Sequence, residues 1–159
     1  MTIAYLGLGA NLGDRRGAIE RALEALAAGG PHIAARSPLY ETDAVTPDPQ
    51  PPYLNAAARI ETALPARALL ALCLDVERAL GRVRPPGQIA AARTIDVDLL
   101  LYDDLVIGDP PELVVPHPRL LERAFVRIPL ADVALAGLVH PVTREALDRA
   151  DPTPSVRLF

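Results

Sequence analysis

The chain opens on an apolar run, Thr2 to Gly9, with no polar interruption. Such a run reads as a strand covered on both faces. From Asp14 the period changes: Ala18, Ile19, Ala22, Leu23 and Leu26 recur at three and four, predicting an amphipathic helix that stops near Gly29-Gly30. Ile33 to Tyr40 reads as a second strand and Tyr53 to Thr62 as a third. The segment between them, Thr42 to Pro52, holds four prolines and is expected to be a functional loop. Pro65 suits the first position of a second helix, with Leu69, Cys73, Val76 and Leu80 as its buried stripe and Gly81 as its stop. After a loop from Arg82 to Arg93, Thr94 to Tyr102 reads as a strand. Asp103-Asp104 then turns into a short strand at Leu105 to Ile107. Pro110 to Pro118 reads as loop. A helical pattern from Arg119 to Val133 is interrupted by Pro129, which predicts about two turns and a second short piece. Beyond His140 only a turn of helix around Glu145 to Arg149 is suggested. The order is βαββαβ: an α+β, ferredoxin-like core with an antiparallel sheet, helices on one face, and C-terminal additions to cover the other.

Composition bounds the class. The 159 residues suit one domain, 1–159, and a 50% apolar content is enough for a core. The single Cys73 excludes an intrachain disulfide framework and a multi-thiolate zinc site, and its place in a helical stripe marks it as a core thiol. No apolar run approaches the roughly 20 residues of a membrane span, and no basic leader precedes the first strand. A cytoplasmic protein with no membrane partner is therefore expected. The formal charge of −4 is the wrong sign for non-specific nucleic-acid binding, so no nucleic-acid partner is expected either. All 16 basic residues are Arg, which removes a Schiff-base lysine and the lysine of a P-loop.

The sharpest chemical feature is Asp96-Val97-Asp98 within an apolar strand. Period two puts Ile95, Val97, Leu99 and Leu101 on one face, and Asp96, Asp98, Leu100 and Tyr102 on the other. Two carboxylates about 7 Å apart along one strand face suit Mg²⁺, which takes its remaining oxygens from water and substrate phosphates. A wet strand face or a salt bridge to arginine would explain the pair equally well on its own. Arg82, Arg84 and Arg93 shift the balance, because arginine grips phosphate oxygens bidentately. His117, held between Pro116 and Pro118, could donate to a phosphate or serve a loop hydrogen bond. His32 and His140 read as structural or surface residues. Tyr53 and Asn55 share a strand face just after the proline-rich loop. Asn55 offers the donor and acceptor set that a heteroaromatic ring edge needs, and Phe125 could stack opposite Tyr53. Gly7 to Gly13 reads as a weak nucleotide motif or a tight turn, with Asn11 bracing neighbouring loops.

Six stretches together carry a resemblance: YLGLGANLGD (5–14), SPLYET (37–42), YLNAAARIET (53–62), GRVR (81–84), RTIDVDLLLYDD (93–104) and VPHPRLLERAFVRIPLADVA (115–134). In them the chain resembles the 6-hydroxymethyl-7,8-dihydropterin pyrophosphokinase family. The resemblance implies an enzyme with a ferredoxin-like core. It implies two Mg²⁺ ions, ATP as co-substrate, and transfer of the β,γ-pyrophosphate to a pterin hydroxymethyl group with release of AMP. It implies Asp96 and Asp98 as metal ligands, with Asp96 also near the pterin. Arg82, Arg84, Arg93, His117, Arg123 and Glu77 would line the nucleotide and phosphate side, with Arg82 and Arg93 closest to the chemistry. Tyr53 and Phe125 would clamp the pterin, Asn55 would read its edge, and Thr42 would contact it from the preceding loop. Small-molecule substrates and a monomer are expected. The family's tryptophan and extra base before the arginine of the DxD strand are replaced here by Gly87 to Ala92, so closure of the 82–93 loop over substrates is expected to be altered. The loop after Thr42 also departs from the family's proline-and-glycine run. A metabolite- or metal-sensing domain without turnover is the alternative, and an RNA-binding domain of the same topology lacks the exposed bases and aromatics it would need.

Overall fold

A computed structural model describes residues 1–43, 50–81, 95–110 and 112–159. Its main sheet is antiparallel throughout. Strand β1 (Thr2–Ala10) lies between β4 (Tyr53–Thr62) and the edge strand β5 (Asp96–Tyr102). On the far side of β4 lie β2 (His32–Arg36) and β3 (Tyr40–Thr42), and β3 is flanked in turn by β8 (Val156–Leu158). The expected second strand is therefore two, because Ser37 and Pro38 break it. The Ser37 hydroxyl accepts from the Ala57 amide and so takes over part of the ladder.

Alternation sorts the side chains onto two faces. Ala4, Leu6, Leu8 and Ala10 of β1 and Leu54, Ala56, Ala58 and Ile60 of β4 point to one face. There they meet α1 (Arg15–Ala28) through Ile19, Ala22 and Leu26, and α2 (Ala66–Ala79) through Leu69, Cys73 and Val76. The α1 start is set by Asp14, whose carboxylate accepts the Gly17 amide at 3.0 Å. The opposite face carries Tyr5 and Ala57, covered by Leu120, Leu130, Val133 and Leu147 from the C-terminal third. This is the α+β arrangement expected from the sequence, with the expected source of cover.

Several boundaries differ. Helix α3 (Ala124–Val133) runs straight through Pro129, which is buried with Leu130 and Val133 against the sheet. A lost backbone bond is tolerated because apolar burial holds the helix in place. Leu105 and Val106 are exposed and lie outside any strand. The short strand is instead β6 (Ile107–Asp109), paired with β7 (Leu113–Val115) inside the stretch expected to be loop. Leu113 and Val115 are buried in the helical-side core, a pull that the surrounding prolines obscure. Beyond His140 there is no helix: Val139 bridges Ala146, and the chain returns as β8.

Candidate active site

The site begins with two glycines. On β1, Gly7 and Gly9 point to the same face as Tyr5, and each lies between a residue of β4 and one of β5. Gly9 is opposite Asn55 and Asp96, while Gly7 is opposite Ala57 and Asp98. Without side chains they leave a trough across the sheet, walled by the amide of Asn55 and the two carboxylates. The approach is close: a Cβ on Gly9 would lie 2.9 Å from the Asn55 Oδ1, whereas one on Gly7 would make ordinary contact with Leu100 at 3.5 Å. Gly7 and Gly9 were expected within the first strand, and the run through Gly13 also as a tight turn before the helix. The sheet puts Gly7 and Gly9 within the strand, and only the following segment, with Gly13 at a φ of 62°, serves the turn.

Asp96 and Asp98 are both half-buried and share the trough face. Strict alternation fails beyond them. The register slips between Tyr5 and Leu6, so Leu100 is an extra residue in β5. Leu100 and Leu101 both join the α3-side core, and Tyr102 crosses to the helical side, where its hydroxyl donates to the Leu64 carbonyl at 2.6 Å. A bulge of this kind bends the strand and resets its phase, but the carboxylates lie before it and keep their shared face.

Across the trough, the Asn55 Nδ2 donates to the Thr42 Oγ1 at 2.7 Å. Thr42 is not a loop residue as expected. It ends β3, is buried, and lies opposite Tyr53 in the ladder. It fixes which way the Asn55 amide faces, leaving the Oδ1 and the second N–H proton of Nδ2 as the hydrogen-bonding capacity for another group. Tyr53 is half-buried on the same face. Phe125 occupies the first turn of α3, on the side of the sheet that carries the trough, with the Arg123 guanidinium 5.5 Å from its ring centroid.

His117 and Arg123 belong to the same region. Burial pushes the His117 imidazole below its ordinary value, the nearby Arg123 charge lowers it further, the Asp96 carboxylate opposes, and Arg119 adds to the lowering. Its Nδ1 accepts the Arg119 amide at 3.2 Å, which leaves a neutral ring with its proton on Nε2. His117 is thereby a donor near Asp96 and Arg123, in keeping with a phosphate contact. Glu77, expected to line the nucleotide side, is only 3% exposed. It follows Cys73 by four residues and so falls in the buried stripe of α2, a helix packed on the face away from the trough. Cys73 is fully buried, with its thiol pushed up to about 12 by burial and by Asp98, which fits the core role expected of it. Arg82, Arg84 and Arg93, and with them the 82–93 loop, lie outside the described residues.

Of two struts that tie the start of β4 to the rest of the fold, sequence reasoning anticipated Asn11 and missed Arg15. The Asn11 Nδ2 donates to the Gln50 Oε1 at 3.1 Å and to the Pro51 carbonyl at 3.3 Å, so it does brace a loop end. Arg15 does the same from α1, donating to the Glu41 Oε2 at 3.0 Å and to the Pro52 carbonyl at 2.9 Å. Nothing in the local sequence marks Arg15, since an arginine in a first helical turn is ordinary.

Among the described residues no group of three or more His, Cys, Asp or Glu side chains could form a metal cage. Two carboxylates on an open trough do fit Mg²⁺, because that ion keeps waters and substrate oxygens in its shell.

Known proteins align with this arrangement. The family description 7,8-dihydro-6-hydroxymethylpterin-pyrophosphokinase (HPPK) matches residues 5–135. A Methylorubrum extorquens protein named 2-amino-4-hydroxy-6-hydroxymethyldihydropteridine pyrophosphokinase is 44% identical over 155 residues, covering 96% of each chain. The Bacillus subtilis protein of the same name is 37% identical over 161 residues, covering 99% of this chain and 90% of that one. A crystal structure described as HPPK-DHPS in complex with substrates shares the fold, with a TM-score of 0.69 at 13% identity. The match takes in 92% of this chain but only 42% of that longer one. The matched span contains both carboxylates, the glycine trough and the Asn55–Thr42 pair, and the chain belongs to the 7,8-dihydro-6-hydroxymethylpterin-pyrophosphokinase family.

Proposed function

We propose that the trough holds the pterin against Asn55 at one side and presents its hydroxymethyl arm to Asp96 at the other. The chain is an enzyme of folate biosynthesis that transfers a pyrophosphoryl group from ATP to 6-hydroxymethyl-7,8-dihydropterin. The observation that carries the site assignment is the row Asn55–Gly9–Asp96. Asn55 and Asp96 stand on strands separated by one intervening strand, roughly 10 Å apart at two strand spacings. That span suits a two-ring heterocycle with a one-carbon arm, and the missing Gly9 side chain leaves room for the Asn55 amide to lie against β1 at the edge of the ring.

The residues divide the work. Asn55, oriented by Thr42, pairs with the polar ring edge, and Tyr53 and Phe125 flank the ring. Asp96 and Asp98 would hold two Mg²⁺ ions, which when bound offset the charge of the triphosphate and align it. Arg82, Arg84, Arg93, Arg123 and the Nε2–H of His117 grip the phosphate oxygens. The pterin hydroxyl attacks the β-phosphorus in line, AMP leaves, and Asp96 is placed to receive the hydroxyl proton. Such a transfer asks the protein mainly for alignment and for charge near the developing transition state.

The same reading takes residues 1–159 as one domain, monomeric, acting on small molecules in the cytoplasm. Among the described residues no helix is long and apolar enough to cross a membrane. Isothermal calorimetry tests the site directly. The pterin should bind only when Mg²⁺ and a non-hydrolysable ATP analogue are present, and ATP should then support AMP release. Pterin-dependent binding without any AMP would favour a sensor and overturn the enzymatic reading.

A further inference from the structure

The residues that would read the pterin are carried by two strand ends, and both ends are tied to one side chain outside the trough. Glu41 precedes Thr42 at the end of β3, and Pro52 precedes Tyr53 at the start of β4. The Arg15 Nη1 donates to the Glu41 carboxylate at 3.0 Å and to the Pro52 carbonyl at 2.9 Å. Arg15 is itself backed by the C-terminal segment: its guanidinium carbon lies 5.4 Å from the Phe159 ring centroid, with that of Arg16 at 5.2 Å. Phe159 is fixed by its amide donating to the Leu39 carbonyl at 2.9 Å. One residue before Leu158, Arg157 approaches the same Glu41 at 3.7 Å and Asp43 at 3.2 Å. β8 thus pairs along the edge of β3 and supplies a second cation to its end.

We propose that Arg15 is a positioning residue for pterin recognition, holding the ends of β3 and β4 in the register at which Thr42 orients Asn55, with Arg157 as its auxiliary on Glu41. The proposal rests on the assignment of Asn55 to the pterin. Its physical basis is geometric. A planar guanidinium with several fixed donors can hold a carboxylate on one strand and a carbonyl on the next at once. The Asn55–Thr42 bond crosses between those same strands, one residue on from Glu41 and three on from Pro52. A small shear between β3 and β4 would lengthen that bond and turn the amide, without touching the carboxylates of β5. The nucleotide side, built on β5 and the segments at 117 and 123, should not sense the change.

Steady-state kinetics of Arg15→Ala, Arg15→Lys, Arg157→Ala and Asn55→Ala, with either substrate varied at saturation of the other, test this. Arg15→Ala should raise the pterin KM by about tenfold while the ATP KM stays within about twofold. Arg15→Lys should recover only part of the loss, since the shorter side chain reaches less far and gives up the planar guanidinium's contact with Phe159, and Arg157→Ala should give a smaller change of the same kind. Adding Arg15→Ala to Asn55→Ala should cost much less than it does alone, because the group it positions is already gone. Circular dichroism of each variant checks the fold, and Arg157→Ala, at an exposed site, carries the test if Arg15→Ala does not fold. Equal rises in both KM values, or fully additive effects of Arg15→Ala and Asn55→Ala, would overturn the positioning role while leaving the pterin assignment in place. An unchanged pterin KM in Asn55→Ala would remove the assignment itself, and the proposal with it.

Discussion

Asn55 draws its directional character from Thr42. A free carboxamide can rotate to present either end, but donation from Nδ2 to a buried hydroxyl oxygen selects one orientation. A second side chain fixed by its surroundings is His140, which lies far along the chain from the trough residues. It is 6% exposed, and its Nδ1 accepts the amides of Val142 at 3.2 Å and Thr143 at 3.1 Å. Burial holds its pKa below 6.5, with Glu145 opposing. Because the folded value is lowered, the unfolded chain binds the proton more readily. The contribution of His140 to stability should therefore be complete above about pH 6.5 and fade as the pH falls through its folded value. The imidazole NMR titration of His140 should have its midpoint below 6.5. Urea unfolding should show lower stability at pH 5 than at pH 7, by an amount reduced in His140→Gln. A midpoint above 6.5 would contradict the two-amide clamp.

At the scale of elements, β1 makes the site by what it leaves out. Gly7 and Gly9 alternate with Leu6, Leu8 and Ala10, so one strand packs a core on one face and opens a trough on the other. Their closeness to the walls differs, and so should their tolerance. Gly9→Ala pushes a methyl group to within 2.9 Å of the Asn55 Oδ1, and the amide must turn or the strands must part. Gly7→Ala meets only Leu100 at van der Waals distance. Gly9→Ala should raise the pterin KM by about tenfold or more with the fold retained, and Gly7→Ala should change it severalfold less. The two KM values measured side by side decide the point, and equal effects would place the ring elsewhere on the sheet. The order of the βαββαβ core was legible from the two-residue and three-to-four-residue periods together, and the shared face of Asp96 and Asp98, like that of Tyr53 and Asn55, from the two-residue period alone. The bulge at Leu100 and the helix passing through Pro129 were not, because both follow from tertiary packing that outweighs a local rule.

At the scale of the molecule, the sheet has one face given wholly to core and one shared between core and site. α1 and α2 cover the first. α3 and the C-terminal turns cover only the part of the second around Tyr5, Ala57 and Leu101, leaving Gly7 half-buried beside the carboxylates. The C-terminal third thus covers the sheet beside the trough and carries His117, which feels the charges of both Asp96 and Arg123. It was the least legible part of the sequence, since its short strands and turns carry no period long enough to read. Ties such as Arg15–Glu41 were invisible for the same reason: they join residues far apart in sequence through the finished fold. In the proposed reaction the two β5 carboxylates serve the transfer of pyrophosphate to a pterin held across β1 from Asn55. AMP formation at saturating Mg²⁺, ATP and 6-hydroxymethyl-7,8-dihydropterin, compared between the native chain and Asp96→Ala or Asp98→Ala, tests it most directly. The native chain should release one AMP per pterin converted, and each variant, folded by circular dichroism, should lose about 100-fold or more in turnover. Near-native turnover in either variant, or AMP release that does not depend on the pterin, would contradict it.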